Sequence, residues 1–232
     1  LASLELSKQN FDQAIELQRF ALNQHEQQAP QGKSNTNQNT EETRRLQLNL
    51  SIMLFLRGLH YQDLWLKHQN AQDQKHAKAD YDTAKTILKD LLKNQSDAYI
   101  LDEYARICFN QAFIGNEKPA QIKAYWQECS ESFEAVLRTP DKFSLGRQIL
   151  TEACVFLALA YTHQKKFDQA EILIHSLEVA INPPIALVYY LKACYHSLKG
   201  AHQKNTEQAE AEAQSALEAL RSVQRIEAAF TS

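Results

Sequence analysis

The chain has 232 residues, enough to bury a substantial core in one large domain or two small ones. Its net charge of −3 excludes the strongly basic signature of proteins that bind nucleic acid or anionic lipid through their overall field. With only 5 Gly and 5 Pro among many Ala, Leu, Gln, Glu and Lys residues, the composition favours an all-helical protein.

The sequence opens on an apolar stretch of helical periodicity, LASLELSKQNFDQAIELQRFAL, from which we predict a partial helical unit at 1–24. Because no initiating Met precedes this stretch, we interpret the sequence as a fragment of a longer protein. Residues 27–42 are polar and contain Pro, Gly and an Asn/Gln run, and we predict a disordered loop there. A single domain over 1–232 then continues as a series of helical pairs. We predict these pairs at about 41–94, 97–138, 141–181 and 184–230.

The string FDQA occurs twice, at 11–14 and at 167–170, and related strings begin at Tyr81 and Trp126. In each copy a small residue follows the aromatic residue three places later, and in the last three copies apolar residues follow seven and ten places later. These offsets trace one face of a helix. The Asp after the aromatic residue in three copies favours the first turn, where it stabilises the positive end of the helix dipole. We therefore predict that each copy begins the second helix of a helical hairpin.

A predicted first helix precedes Phe167 in the stretch TEACVFLALAYTHQ, which places Leu157, Ala158 and Tyr161 on one face. Polar residues beside proline mark the predicted starts of following helices. We assign this role to Asn182-Pro183 and Thr139-Pro140, and an N-cap role to Ser96-Asp97.

This repeated hairpin resembles the tetratricopeptide repeat (TPR). Residues 151–184 carry the resemblance best, and residues 1–22 resemble the second half of a longer repeat of the kind found in kinesin light chains. The positions that match the family signature are Leu157, Ala158, Tyr161, Phe167, Ala170, Ile174, Leu177 and Pro183. The resemblance implies a right-handed superhelix (α-solenoid) of antiparallel hairpins, because one hairpin alone cannot bury its apolar face.

The four cysteines form no C-x-x-C motif, and each lies in an apolar helical stretch where Cys behaves as a small hydrophobic residue. They are Cys108, Cys129, Cys154 and Cys194. We predict reduced core residues in a cytoplasmic protein, with one disulfide pair as the alternative.

Motifs of enzymatic chemistry are missing from the sequence. The five glycines are scattered singly, so there is no phosphate-binding or dinucleotide-binding loop. HEQQA at 25–29 lacks the second His of a zinc-protease motif, and His60, His68 and His76 do not share a helix face. The longest fully apolar run, ACVFLALAY, is too short to span a bilayer. We therefore predict no enzymatic activity, cofactor, metal, nucleic-acid partner or membrane span.

In the TPR family the first helix of each pair lines a concave groove, and the resemblance implies candidate binding residues there. These residues are Arg106, Phe109, Asn110, Val155, Leu159, His163, Tyr189, Ala193 and His196. Several are apolar or aromatic, which is typical of a binding surface when such residues are exposed. The alternative is that a further helix or the long loop covers the groove, which makes them core residues. A carboxylate clamp is not expected, because apolar side chains occupy the polar clamp positions.

From this resemblance we predict a non-catalytic scaffold that binds a peptide or protein partner in the groove. One alternative is a peptide-sensing or regulatory domain of a larger signalling protein or transcription regulator, and another is a bacterial effector module that targets a host protein. A Lys stripe at positions 78, 85, 89 and 93 is more typical of a solvated convex face than of a docking surface. The sequence leaves the oligomeric state open.

Overall fold

The computed structural model describes residues 2–28, 36–94, 97–114, 118–181 and 185–231. Within these ranges all regular structure is helical, which confirms the predicted all-α class. The α-helices are α1 (Ala2–Gln28), α2 (Thr36–His68), α3 (Ala71–Asn94), α4 (Ala98–Phe113), α5 (Pro119–Arg138), α6 (Gly146–His163), α7 (Phe167–Ala180), α8 (Ala186–Gly200) and α9 (Thr206–Thr231). A 3-10 helix spans Lys142–Leu145, between α5 and α6.

The helices group into two compact units, residues 1–116 and 117–232. In the first unit α2 packs against α1, α3 and α4, and α3 also packs against α4. In the second unit α6 packs against α5, α7 and α8, and α8 packs against α7 and α9. Each unit therefore has a central helix that contacts the helix before it and the two helices after it. The pairs predicted at 41–94, 141–181 and 184–230 are present, whereas the helices of the pair 97–138 belong to different units.

The central helix α6 explains an apolar stretch that composition alone could assign to a membrane. Among the described residues, Lys142–His163 is the one helical stretch long and apolar enough to cross a bilayer. Here α6 is covered by three other helices, and Tyr161 Oη donates a 2.7 Å hydrogen bond to Glu134 Oε1 of α5. A helix that is apolar on most sides can equally be a core helix, and the packing here buries 39% of the apolar window.

The stripe predicted from the FDQA alignment is buried in α3, α5 and α7. Its buried members are Tyr81, Ala84, Leu88 and Leu91 in α3; Trp126, Cys129, Phe133 and Val136 in α5; and Ala170, Ile174 and Leu177 in α7. In α1 the same positions are partly exposed, and Ile15 is the buried residue. The predicted packing face is therefore confirmed for three of the four copies.

The prediction that each copy begins a helix is wrong for most copies. Only Phe167 begins its helix, whereas α1 begins at Ala2 and α3 at Ala71, well before Phe11 and Tyr81. The carboxylates of these two copies bind neighbouring helices instead of a helix dipole. Asp12 Oδ1 accepts a 2.5 Å hydrogen bond from Arg57 of α2, and Asp82 Oδ1 accepts a 2.7 Å bond from Gln111 of α4.

Of the predicted helix starts, Asp97 is confirmed as an N-cap. Its Oδ1 accepts hydrogen bonds from the backbone N–H groups of Tyr99 and Ile100 at 2.9 and 3.2 Å. Thr139 instead ends α5, with its N–H donating to the carbonyls of Ala135 and Val136, and α6 begins only at Gly146. The predicted start at 182–183 lies outside the described residues.

Part of the disordered loop predicted at 27–42 is helical in the structure. Residues 27–28 belong to α1 and residues 36–42 belong to α2, while 29–35 lie outside the described residues. A helix anchored by an apolar face further along can extend through polar residues into solvent, because each added residue forms another backbone hydrogen bond. Glu42 also accepts a 2.8 Å bond from Arg45, three residues later on the same helix.

Ala170 is fully buried in α7, so Ala170→Leu is expected to destabilise the second unit by overpacking. The expected loss is about 1–3 kcal/mol of unfolding free energy. Its exposed neighbour provides the control, because Gln169→Leu is expected to change stability by less than about 0.5 kcal/mol. Urea denaturation followed by circular dichroism measures both variants, and equal stabilities would show that Ala170 is not a tight packing position.

Candidate functional site

An open apolar pocket lies in the second unit, between the first half of α6 and the second half of α7. Its volume is about 420 Å³. The lining residues are Phe143, Gly146, Arg147, Leu150, Thr151, Cys154, Leu173, Ser176, Leu177, Ala180 and Ile181. We call it the Phe143 pocket, because the Phe143 side chain forms its rim and is 76% exposed to solvent. A concave apolar surface with an exposed aromatic rim is the usual form of a binding site.

Gly146 allows the chain to pass from the 3-10 helix directly into α6. Its φ of 76° lies in the left-handed region, which side chains disfavour and glycine adopts at no steric cost. Its N–H donates to the carbonyl of Phe143, which closes the 3-10 turn. An added Cβ would meet no atom within 4 Å, so the backbone angle and not the available space requires glycine here. The turn places Phe143 and Arg147 on either side of this glycine.

Arg147 is the positively charged member of the pocket lining. Its Nη2 donates a 2.8 Å hydrogen bond to the carbonyl oxygen of Ala180, the last residue of α7. Arg147 thus links the beginning of α6 to the end of α7 and satisfies one of the carbonyl groups that a helix end leaves open. A second concavity, of about 410 Å³, shares Arg147, Thr151 and Ile181 with the Phe143 pocket.

Lys142 directly precedes Phe143 in the 3-10 helix. Its Nζ donates a 2.6 Å hydrogen bond to the carbonyl of Leu137 and lies 5.4 Å from the centre of the Phe143 ring. This cation–π contact fixes the stem of Lys142 against one face of the ring. The described contacts of the exposed Phe143 ring thus include a cation from its own 3-10 helix.

Cys154 is the pocket-lining residue whose side chain, a thiol, can act as a nucleophile. Burial raises the pKa of its thiol, so the thiol stays protonated at neutral pH and is a poor nucleophile. None of the four cysteines, all of which lie in the described ranges, forms a disulfide. Cys108 and Cys129 are buried as predicted, and Cys154 and Cys194 are partly exposed. In the ranges that the structure describes, no group of three or more His, Cys, Asp or Glu side chains could hold a metal ion. The pocket thus offers apolar contact and one cation.

Three of the residues predicted to line the groove are buried in the second unit. Val155 is fully buried, and Leu159 and Ala193 are only 5% exposed. These side chains are therefore out of reach of a partner in this conformation, which favours the alternative that they are core residues. The cause is the packing of α6 and α8 against each other as well as against their own second helices.

The other predicted residues of this unit contact neighbouring side chains. His163 stacks on Trp126 of α5 with ring centres 4.0 Å apart and planes 5° apart, and burial lowers the pKa of its imidazole. His196 Nδ1 lies 2.6 Å from Glu212 Oε2 of α9. Tyr189 is partly exposed and lies on α8. All three side chains are partly exposed, but the two histidines are engaged with Trp126 and Glu212.

The predicted residues of the first unit lie together on α4. Arg106 Nε donates a 2.7 Å hydrogen bond to the buried Asp102, and Phe109 lies 4.8 Å from Phe113, centre to centre. Asn110 donates to the carbonyl of Arg106 and accepts a long 3.4 Å bond from Gln62 of α2. The three residues share one face of α4, and the polar groups of Arg106 and Asn110 are engaged within the unit.

The Lys stripe on α3 is also engaged in part. Lys85 Nζ donates a 3.0 Å hydrogen bond to Gln111 Oε1 and lies 5.8 Å from the ring centre of Tyr104. Lys93 forms an exposed pair with Asp90 at 2.7 Å. Lys89 and Lys93 are exposed, as predicted for a solvated face, whereas Lys85 is partly buried against α4.

The sequence analysis did not identify Phe143 and Arg147. Both follow TPD at 139–141, where proline and polar residues indicate a turn. An aromatic residue inside such a polar turn is itself a signal, because a turn without an apolar face has no core in which to bury it.

Comparison with protein-family models, with curated proteins and with solved structures finds no match to this chain. The candidate site therefore rests on its own geometry.

Proposed function

We propose that this chain is a non-catalytic interaction module, a TPR-like stack of helical hairpins that binds a peptide or protein segment. The observation that carries the proposal is the open apolar pocket beside the exposed Phe143. The lining holds apolar groups, one arginine and a protonated thiol, which suits contact with a partner's side chain. The four cysteines, none of which forms a disulfide, support a cytoplasmic location, where thiols remain reduced.

A repeated interhelical hydrogen bond supports the TPR-like architecture. Tyr161 of α6 donates to Glu134 of α5 at 2.7 Å, and Tyr195 of α8 donates to Glu171 of α7 at 3.0 Å. In both cases a first helix bonds to the second helix of the preceding pair. The two tyrosines are 34 positions apart, from 161 to 195, which is the standard TPR period. We infer that α5 to α9 are successive repeats of a solenoid.

The binding surface in this proposal is the Phe143 pocket and not the predicted groove, because Val155, Leu159 and Ala193 are buried. Two further exposed side chains of α7, Ile172 and Val179, lie seven residues apart and therefore on one face. At 3.6 residues per turn they lie about 100° around α7 from the lining residues Leu173 and Ala180, so they form an exposed apolar strip beside the pocket lining. A partner segment lying along α7 would cover the Phe143 pocket together with Ile172 and Val179.

Selection of random dodecapeptides displayed on phage tests the proposal. The baits are the native chain, Phe143→Ser, and Leu217→Ser as the matched control, since Leu217 is an exposed apolar residue on α9. Both substitutions are at exposed side chains and are expected to leave the fold intact. Peptides selected on the native chain should lose at least about tenfold in affinity for Phe143→Ser and little for Leu217→Ser, because aromatic anchors dominate binding energy.

Failure of every bait to enrich a peptide would contradict the interaction function. Enriched peptides that bind Phe143→Ser as tightly as the native chain would contradict the pocket as the site. Circular dichroism of each bait shows that the comparison is made between folded proteins.

A further inference from the structure

We propose that the Phe143 pocket recognises a peptide segment in which a bulky apolar side chain lies beside an acidic residue, with Arg147 binding the carboxylate. This inference rests on the proposed function and specifies the chemistry of its partner. The apolar side chain would fill the pocket, and the carboxylate would lie at its edge.

The preference for an apolar side chain in the partner follows from the residues that line the pocket. Among the described lining residues, Arg147 is the one with a charged side chain, and most of the others are apolar. The pocket is open at the rim, where Phe143 stands 76% exposed. A ligand of peptide size can insert one side chain and cover this ring with its backbone, whereas a small ligand would be left largely in water. The shape therefore favours a side chain carried by a peptide.

The preference for a carboxylate in the partner follows from the hydrogen bonds of Arg147. The chain has nine arginines. Within the described ranges, five have a carboxylate partner, namely Arg44, Arg45, Arg57, Arg106 and Arg138. Of the other four, Arg19, Arg147, Arg221 and Arg225, Arg147 is the one that lines the Phe143 pocket. The described contacts of Arg147 include no carboxylate, only the carbonyl of Ala180. That bond uses one Nη atom, and the described contacts give Nε and the other Nη no hydrogen bond. A guanidinium group beside an apolar surface suits a carboxylate, which it can bind through two parallel hydrogen bonds.

Peptide selection on charge variants of Arg147 tests the inference. The baits are the native chain, Arg147→Met, Arg147→Glu, and Arg138→Met as the matched control, because Arg138 is an exposed arginine of α5. The native chain and Arg138→Met should select dodecapeptides with Asp or Glu within two positions of Phe, Leu, Ile or Trp. Arg147→Met should lose the acidic preference, and Arg147→Glu should select Lys or Arg at the same place.

Binding of one selected acidic peptide then measures the size of the effect. Its affinity should fall at least about tenfold on Arg147→Met, since hydrogen bonds to charged groups are among the stronger ones. The same peptide with Asp replaced by Lys should bind Arg147→Glu more tightly than it binds the native chain. Arg147→Lys keeps the charge without the fork and should give an intermediate affinity.

The outcomes separate this inference from the function on which it rests. Apolar peptides enriched equally on all four baits, with no acidic preference, would overturn the inference and leave the interaction function standing. No enriched peptide on any bait would overturn the interaction function itself. If the native chain instead forms a dimer that Arg147→Met abolishes, the occupant is a second copy of this chain and the peptide partner is wrong. Circular dichroism checks that loss of the bond to Ala180 leaves the variants folded.

Discussion

Asp80→Ala should lower the unfolding free energy of the first unit by about 3–5 kcal/mol, because it leaves the Arg57 guanidinium charged and without its main partner. Arg57 binds Asp80 through two hydrogen bonds, Nε to Oδ2 at 2.8 Å and Nη2 to Oδ1 at 2.6 Å. The Asp80 side chain is 7% exposed and that of Arg57 is 19% exposed. The hydrogen bonds that Arg57 donates to Asp80 raise the pKa of Arg57 above its ordinary value. An arginine without such a partner still has a pKa far above neutral pH, so the guanidinium of the variant cannot escape the loss by deprotonation.

Two controls separate burial from charge. Asp90→Ala removes one side of an exposed pair with Lys93 on the same helix and should change stability by less than about 1 kcal/mol. Asp12→Ala removes the second, more exposed carboxylate of Arg57 and should have an intermediate effect. Because Asp80 joins α3 to α2 and Asp12 joins α1 to α2, the two losses should combine non-additively.

The measurement can be confined to the first unit. The chain has two tryptophans, Trp65 in the first unit and Trp126 in the second. In a Trp126→Phe background, Trp65 fluorescence during urea denaturation reports on the unit that contains Arg57. An Asp80→Ala midpoint equal to that of Asp90→Ala would show that the buried pair adds nothing to stability.

Local periodicity was sufficient to predict that these segments are helical and which face of α3, α5 and α7 packs inward. It was not sufficient to predict where most of these helices begin. A helix face is set by residues three and four places apart, and that spacing is visible in the sequence. The burial of Val155 and Leu159 was not predictable in the same way. It depends on how many other helices surround α6, which is a property of distant parts of the chain.

The candidate site was missed for a related reason. Phe143 and Arg147 become neighbours of one pocket only because α6 and α7 converge around it and Gly146 takes a left-handed backbone angle. The bond between Arg147 and the carbonyl of Ala180 joins residues 33 positions apart, and no repeat or motif marks that pair. Side chains that a turn and a helix end bring together thus need the tertiary structure to be found.

Gly58 is one of the five scattered glycines, and in the structure the close approach of the Tyr81 ring requires glycine at this position. It lies within α2, and a Cβ built there would lie 2.5 Å from Cε1 and 2.7 Å from Cδ1 of Tyr81. The Tyr81 ring is fully buried, and its hydroxyl donates a 2.7 Å hydrogen bond to Gln62, one turn further along α2. The ring therefore lies directly against the α2 backbone and has little room to move.

Gly58→Ala should consequently destabilise the first unit by about 1–3 kcal/mol through overpacking. The sign is informative, because Ala at an open position within a helix is favoured over Gly by about 1 kcal/mol. A double-mutant cycle with Tyr81→Val isolates the contact, since Val has no ring atoms to meet the added methyl group. In the Tyr81→Val background, Gly58→Ala should become neutral or stabilising, which gives a coupling free energy of about 1–3 kcal/mol. Trp65 fluorescence in the Trp126→Phe background measures all four corners of the cycle, and a Gly58→Ala variant as stable as its parent would show that Tyr81 does not pack against Gly58.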